Sequence, residues 1–279
     1  NCNVVALARM KNVLLVLICS MASLAAQEMP SGFEAVMNTG VTMAKLELAS
    51  AMSSDFFRSS RDVRKDSVGG HVAYVTGNRI TSVYYANANP SLIFHTYMFD
   101  KNVDFGSMRV DTHQRAATPK EQELIALRHA SLRAIVSDTS NFFSAYKFTV
   151  LHHIPLVDSA SRIVYIRTVS TREQFAIFGN DYRLTFDSSN ALIKREKLHQ
   201  SLMPIESSPT SAGSRPDTVV THHSHSILSS ELPTETDVCT LVVSAGHVPW
   251  QQHAILTPTW NCVWNMADKK FQFFKKDVK

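Results

Sequence analysis

The chain has 279 residues, of which 44% are hydrophobic and 19% charged, the balance of a folded globular protein and not of a disordered one. Lys and Arg number 28 against 24 Asp and Glu, a formal net charge of +4. Two of those cations, Arg9 and Lys11, fall in a leader, which leaves 26 against 24; with no long basic block interleaved with aromatics, nucleic-acid binding has no electrostatic case.

The leader spans residues 1–26. Met10, Lys11 and Asn12 precede an apolar core, Val13 to Cys19, and small residues then run from Ser20 to Ala26. Basic start, apolar core and small-residue end predict an export signal cut after Ala25 or Ala26, and so a periplasmic or extracellular protein. The apolar core is far short of the roughly 20 residues a bilayer span requires. Of the four cysteines, Cys2 and Cys19 lie in this leader. Cys239 and Cys262 remain, either as one bridge or as two buried thiols.

The predicted fold is α+β. Apolar residues at helical spacing predict a helix over 31–60, with Ser31 able to cap it and Gly40 interrupting it. A charged loop ends at Gly69-Gly70. His71–Val75 and Ile80–Tyr85 flank Thr76-Gly-Asn-Arg79 as a hairpin, and strands follow over 91–99 and 107–112. A small N-terminal helix plus antiparallel meander, 27–117, is therefore expected ahead of a mixed α/β domain around a curved sheet, 118–279. Thr118-Pro-Lys-Glu121 reads as a helix start that carries through Ile135 and on towards Phe143.

Strands are then expected over 146–154, closed by Pro155, and over 162–168. Residues 174–178 and 182–186 form a third and a fourth strand around Gly179-Asn-Asp181, a tight turn, with a further strand over 191–198. Residues 204–217, rich in Pro, Ser and Gly, read as a surface flap. Thr218–Thr221 is a short strand running into a His cluster. Thr234 caps a helix over 235–245, and closing strands occupy 254–257, 263–266 and the basic, aromatic tail.

The chemistry concentrates in the cluster. Residues i and i+2 of a strand share a face, so His223 and His225 converge while His222 and Ser224 point away. Asp237 falls in the first turn of the next helix, where the dipole favours a carboxylate. Two imidazoles and a carboxylate suit zinc and leave a fourth position for water, the catalytic form of a zinc site. His152-His153 is a reminder that adjacent histidines need not mean metal. His199, His247 and His253 are spare candidates, with His199 read as a surface residue. Trp250, Trp260 and Trp264 are read as packing, and no G-x-S-x-G elbow occurs.

His223-Ser-His225 followed by Pro233-Thr-Glu-Thr-Asp237 resembles the JAB/MPN (JAMM) metalloprotease family, whose pattern is H-x-H and then Asp within P-S-x-x-D. The similarity covers 118–268. Ser226 stands where the family has Pro, and eleven residues separate His225 from Asp237, one more than usual. The resemblance implies a zinc-dependent hydrolase acting on a peptide or isopeptide bond in a peptide or protein substrate. It implies a glutamate on an early strand as general base, for which Glu173 comes first and Glu196 and Glu206 follow. Thr234 takes the place of the family's oxyanion serine, or simply caps the helix. Two other readings stand beside it: a non-catalytic exported α+β protein that binds a protein or cell-envelope partner, and a metal-binding or structural surface protein.

Overall fold

The computed structural model describes residues 27–60, 67–158, 161–172, 175–206, 220–226 and 230–277. The expected leader, Glu173 and residues 207–219 of the expected flap lie outside the described residues. The fold is mixed α+β: an N-terminal helix, a strand meander, and two further helices among several sheets. No helix among the described residues is long and apolar enough to cross a membrane.

Helix α1 runs Phe33–Ser59 without a break at Gly40. Its N-cap is Gly32, in the left-handed region at φ 80, and not Ser31. Gly40 is a contact and not a break: a Cβ there would lie 2.5 Å from Val238 Cβ and 2.7 Å from the Glu235 carbonyl oxygen. The missing side chain lets α1 cross helix α3, Glu235–Ser244, at close range.

Strands β1 (Val68–Thr76), β2 (Arg79–Ala86), β3 (Leu92–Asp100) and β4 (Arg109–Asp111) form the antiparallel meander, and β5 (Arg115–Ala116) also pairs with β3. Thr76 pairs with Arg79 across Gly77-Asn78, with Gly77 at φ 56, as the hairpin pattern requires. Helix α2, Pro119–Val136, opens with the expected capping box. It stops short of Phe143 because the Asp138 carboxylate draws in the backbone N–H groups of Ser140, Phe142 and Phe143 at 3.1, 2.7 and 3.2 Å.

The second sheet has the order β10-β9-β7-β6, all antiparallel, from β6 (Thr149–Val157), β7 (Arg162–Ser170), β9 (Tyr182–Phe186) and β10 (Leu192–Lys197). Pro155 does not close β6, contrary to expectation. It pairs with Val164 inside an edge strand, where its lack of an N–H costs no ladder bond on the open side. Strands β8 (Phe175–Gly179) and β9 flank the turn but are not partners. β8 pairs with β11 (Leu202–Glu206), so the chain changes sheet at Gly179-Asn180-Asp181. Gly179 (φ 85) and Asn180 (φ 55) supply the left-handed turn this needs.

The last sheet has the order β12-β13-β14-β15, from β12 (Val220–Ser224), β13 (Gln252–Leu256), β14 (Trp260–Asn265) and β15 (Lys270–Lys275). β12 and β13 are parallel, and α3 makes the crossover between them. Phe33, Phe178, Val238, Leu241, Ile255 and Trp264 form one buried core between α1, α3 and this sheet. A second core joins Met43, Leu46 and Ala49 of α1 to Tyr84, Tyr97 and Phe99 of the meander and to Ile154, Tyr165 and Cys239. Cys239 and Cys262 are both buried free thiols. Arg167 of β7 is buried in the second core and pairs with Glu47 of α1. It donates to Thr240 Oγ1 at 2.8 Å and lies 3.2 Å from Cys239 Sγ, so one guanidinium ties β7 to both helices.

Candidate metal centre

His223 lies on the buried face of β12, while His222 and Ser224 are exposed, as alternation demands. His225 is just past the strand, but its N–H still donates to the Leu256 carbonyl at 2.8 Å, which holds it in register beside β13. Asp237 is the third residue of α3. Its Oδ2 accepts from Thr234 N at 2.7 Å and from Thr234 Oγ1 at 2.9 Å, while Asp237 N donates back to Thr234 Oγ1 at 3.2 Å. This is a capping box with Asp in the usual Glu position.

A fourth residue joins them. His199 sits in the link between β10 and β11, held there by the sheet-changing corner. Asn180 N donates to the Ser201 carbonyl at 3.1 Å and Leu198 N to the Asp181 carbonyl at 2.9 Å. A Cβ on Gly179 would lie 2.0 Å from the Ser201 oxygen and 3.4 Å from His199 Cβ. Only glycine lets the link come this close. The surface position expected for His199 is wrong: it is 3% exposed.

His199, His223, His225 and Asp237 each offer one ligand atom, and the four atoms lie within 4.8 Å of one another. Asp237 Oδ1 is 3.0 Å from His199 Nε2 and 3.3 Å from His223 Nε2. Asp237 Oδ2 is 3.2 Å from His225 Nε2, and the Nε2 atoms of His223 and His225 are 3.2 Å apart. A tetrahedral zinc with bonds of about 2.0–2.1 Å has donor–donor edges of about 3.3–3.4 Å, close to these values.

The hydrogen-bond inventory agrees. Asp237 Oδ1 and both nitrogens of His199 are buried with no hydrogen-bond partner, despite the 3.0 Å approach. A close approach of this kind is also what two lone pairs directed at a common cation would give. Leaving such atoms unsatisfied costs about 1–3 kcal/mol each. A cation bound by Asp237 Oδ1 and His199 Nε2 removes that cost. The residues present therefore fit a metal ion.

The surrounding contacts set the tautomers. His225 Nδ1 is 3.1 Å from the Ser230 carbonyl, which can only accept, so Nδ1 carries the proton and Nε2 presents its lone pair. His223 Nδ1 is 2.8 Å from His253 Nε2, and His253 Nδ1 is 2.7 Å from Thr221 Oγ1. With His223 Nε2 as ligand, protons run outward along this chain, His223 to His253 to Thr221. Phe178 lies parallel to His253, centroids 4.5 Å apart, and 4.7 Å from His223, fixing both rings.

Burial alone would raise the Asp237 carboxyl, but the imidazoles of His199, His225 and His223 outweigh it and hold the group well below the usual carboxylate range. Burial would lower His199, and the Asp237 and Asp181 carboxylates reverse this. Burial dominates at His223 and His253, keeping both below the ordinary imidazole value. Asp181 lies behind His199, with Oδ2 3.7 Å from Nδ1, and its Oδ1 accepts from Thr168 N at 2.9 Å. Burial pushes Asp181 up to about 6.

Three of the sequence-predicted ligands, His223, His225 and Asp237, thus come together. Thr234 is buried with its hydroxyl committed to Asp237 and 3.0 Å from Thr236 Oγ1; it caps α3 and steadies the ligand. Glu173 is outside the described residues. Glu196 is engaged by Arg183 at 3.0 and 3.1 Å and by Lys194 at 2.9 Å. Glu206 and His247 are exposed. Of the other spare candidates, His253 is hydrogen-bonded to His223, and His199 joins the cluster that could hold a metal ion. No protein-family model matches the chain, and neither a curated protein nor a solved structure does. Fold and site together define an α+β protein with a buried His₃Asp cluster able to hold a metal ion.

Proposed function

We propose that this chain is an exported metalloprotein in which His199, His223, His225 and Asp237 together hold one zinc ion, and that the centre's first role is to hold the C-terminal sheets and α3 together. The observation that carries this reading is that all four donors are protein side chains at 0–2% exposure whose ligand atoms lie within 4.8 Å of one another. A closed, four-residue ligand set is the form of structural zinc, whereas catalytic zinc keeps three protein ligands and an open position. When bound, the ion supplies a fixed double charge between the β10–β11 link, the end of β12 and the first turn of α3. Elemental analysis of purified protein should find about one zinc per chain, and His225→Ala should lose it. Equal zinc in a folded His225→Ala protein would refute the proposal.

A hydrolase acting on a peptide or isopeptide bond is the second reading. It is favoured by the placement of His223, His225 and Asp237 on a strand end and a helix start, in the order that resembles JAB/MPN enzymes. In that reading Glu173 is the general base, zinc supplies Lewis-acid polarisation, and His199 must yield its place to substrate. Release of a peptide from an isopeptide-linked test substrate, abolished by both Glu173→Gln and His225→Ala, would support it. No release by the zinc-loaded wild type would count against it.

A further inference from the structure

A second polar cavity lies away from the His₃Asp cluster, where α1, β1, α2 and β6 meet. It has a volume of about 250 Å³, room for about eight waters at roughly 30 Å³ each. Arg128, His71, His152, His153, Ser50 and Ser54 are among the side chains that line it.

Charge in this cavity is unevenly matched. The lining carboxylates are Glu47 and Asp55, both on α1. Glu47 is taken by Arg167 from behind and has His152 Nδ1 at 3.7 Å; Asp55 is taken by Arg58. Arg128 of α2 has no carboxylate within ion-pair distance among the described residues. One of its nitrogens donates to Tyr85 Oη at 2.9 Å, and among the described residues its guanidinium makes no other hydrogen bond. One cation is thus left over on the wall of a polar cavity.

The nearest histidine is set up to answer an anion. The Ser131 hydroxyl donates to the Arg128 carbonyl at 2.8 Å, so towards His153 Nδ1, at 2.7 Å, it can only accept. The proton of neutral His153 is therefore on Nδ1, and Nε2 is the atom free to take up another. His71 lies stacked on Tyr84 with centroids 5.2 Å apart.

We propose that this cavity is a binding site for a small oxyanion, a carboxylate or phosphate group, held by the Arg128 guanidinium and by the imidazoles of His71 and His153. Two parallel N–H groups of a guanidinium match either oxyanion. Binding takes up protons. Burial first, then Arg128 and His152, hold both His71 and His153 down to about 4. An anion placed among them reverses the part due to like charge. The charges facing these two rings are Arg128 from α2, Glu47, Asp55 and Arg58 from α1, His152 from β6, and Arg167 behind Glu47. None belongs to the metal cluster, so the two sites stand or fall separately.

The test follows imidazole resonances by NMR while inorganic phosphate is added to the whole protein at constant ionic strength. His113, on an exposed loop, serves as internal control. His71 and His153 should shift saturably, and their titration midpoints should rise by about one unit or more, with His113 unmoved. Acetate in a parallel titration tells carboxylate from phosphate, and saturable binding of either supports the site. Arg128→Gln should weaken binding about tenfold or more and raise both midpoints without any anion, while Arg128→Lys should keep part of the affinity. Chloride giving the same shifts as both oxyanions, His113 moving alongside the others, or unchanged affinity in folded Arg128→Gln would each overturn the proposal.

Discussion

On the proposed function, replacing His199 by Ala would remove the ligand that closes the set and leave the other three in place. Structural zinc is worth about 10–16 kcal/mol in small peptides, so one donor of four accounts for roughly 3–4 kcal/mol, a factor of roughly 100 to 1,000 in affinity. The fold itself should survive, because neither ring nitrogen of His199 makes a hydrogen bond that the mutation would break. The assay is competition against a chromophoric chelator, with circular dichroism to confirm folding. His222→Ala, an exposed side chain on the opposite face of the same strand end, is the control and should bind as the wild type does. Wild-type affinity in folded His199→Ala would refute the four-ligand assignment and return the site to three ligands with an open position.

His253→Ala should weaken metal binding by about 10- to 100-fold through loss of the partner that orients His223, measured in the same competition. Gly179→Ala should destabilise the protein by about 2–4 kcal/mol in denaturant melts and weaken metal binding with it, since its Cβ would collide with the Ser201 carbonyl at a left-handed residue. Stability should fall in acid through Glu47, whose carboxyl is held at about 2 against 4.5: burial would raise it, but Arg167 and His152 outweigh that. A depressed acid stabilises fully above 4.5 and loses that contribution as pH drops through 2, here on the order of 3 kcal/mol; a Glu47→Gln variant, melted across that range, should lack this slope. Chelation of the metal should speed amide exchange in β12, the first turn of α3 and residues 198–201, and leave the β1–β3 meander unchanged.

Features set by neighbouring residues were legible in the sequence. The Thr118–Glu121 capping box, the Thr234 cap, the hairpin at Gly77, and the opposite facing of His222 and His223 follow from spacing alone, and the structure has them. So does the N-terminal helix and meander of an α+β fold. What escaped was set by contacts between distant segments. Gly40 reads as a helix breaker until Val238 is placed against it. Pro155 reads as a strand end until β6 is known to be an edge. His199 carries no local signal, because its burial depends on the chain leaving one sheet for another at Gly179. The one usable hint was Gly179-Asn180, a pair suited to positive φ, but the local pattern shows only a tight turn there and not a change of sheet.

The two capping boxes give the clearest internal argument for a cation. In α2 the third residue is Glu121, and both of its oxygens are fully used. Oε2 accepts from Thr118 N at 2.8 Å and Arg115 at 2.7 Å; Oε1 accepts from Tyr74 Oη at 2.6 Å and Arg115 at 2.7 Å. In α3 the same position holds Asp237. One oxygen closes the cap, as in α2, and the other is buried without a donor. A capping role alone would not require that second oxygen to be shut away from water beside three imidazoles. Its desolvation costs about 1–3 kcal/mol or more for a charged group, and the neighbouring protein groups that offset this are imidazoles. In α2 an arginine provides the compensating positive charge. In α3 no Lys or Arg pairs with Asp237 among the described residues, and the groups ringed around Oδ1 are metal ligands by chemistry. On the proposed function, a divalent ion at their common centre would do for Asp237 what Arg115 does for Glu121.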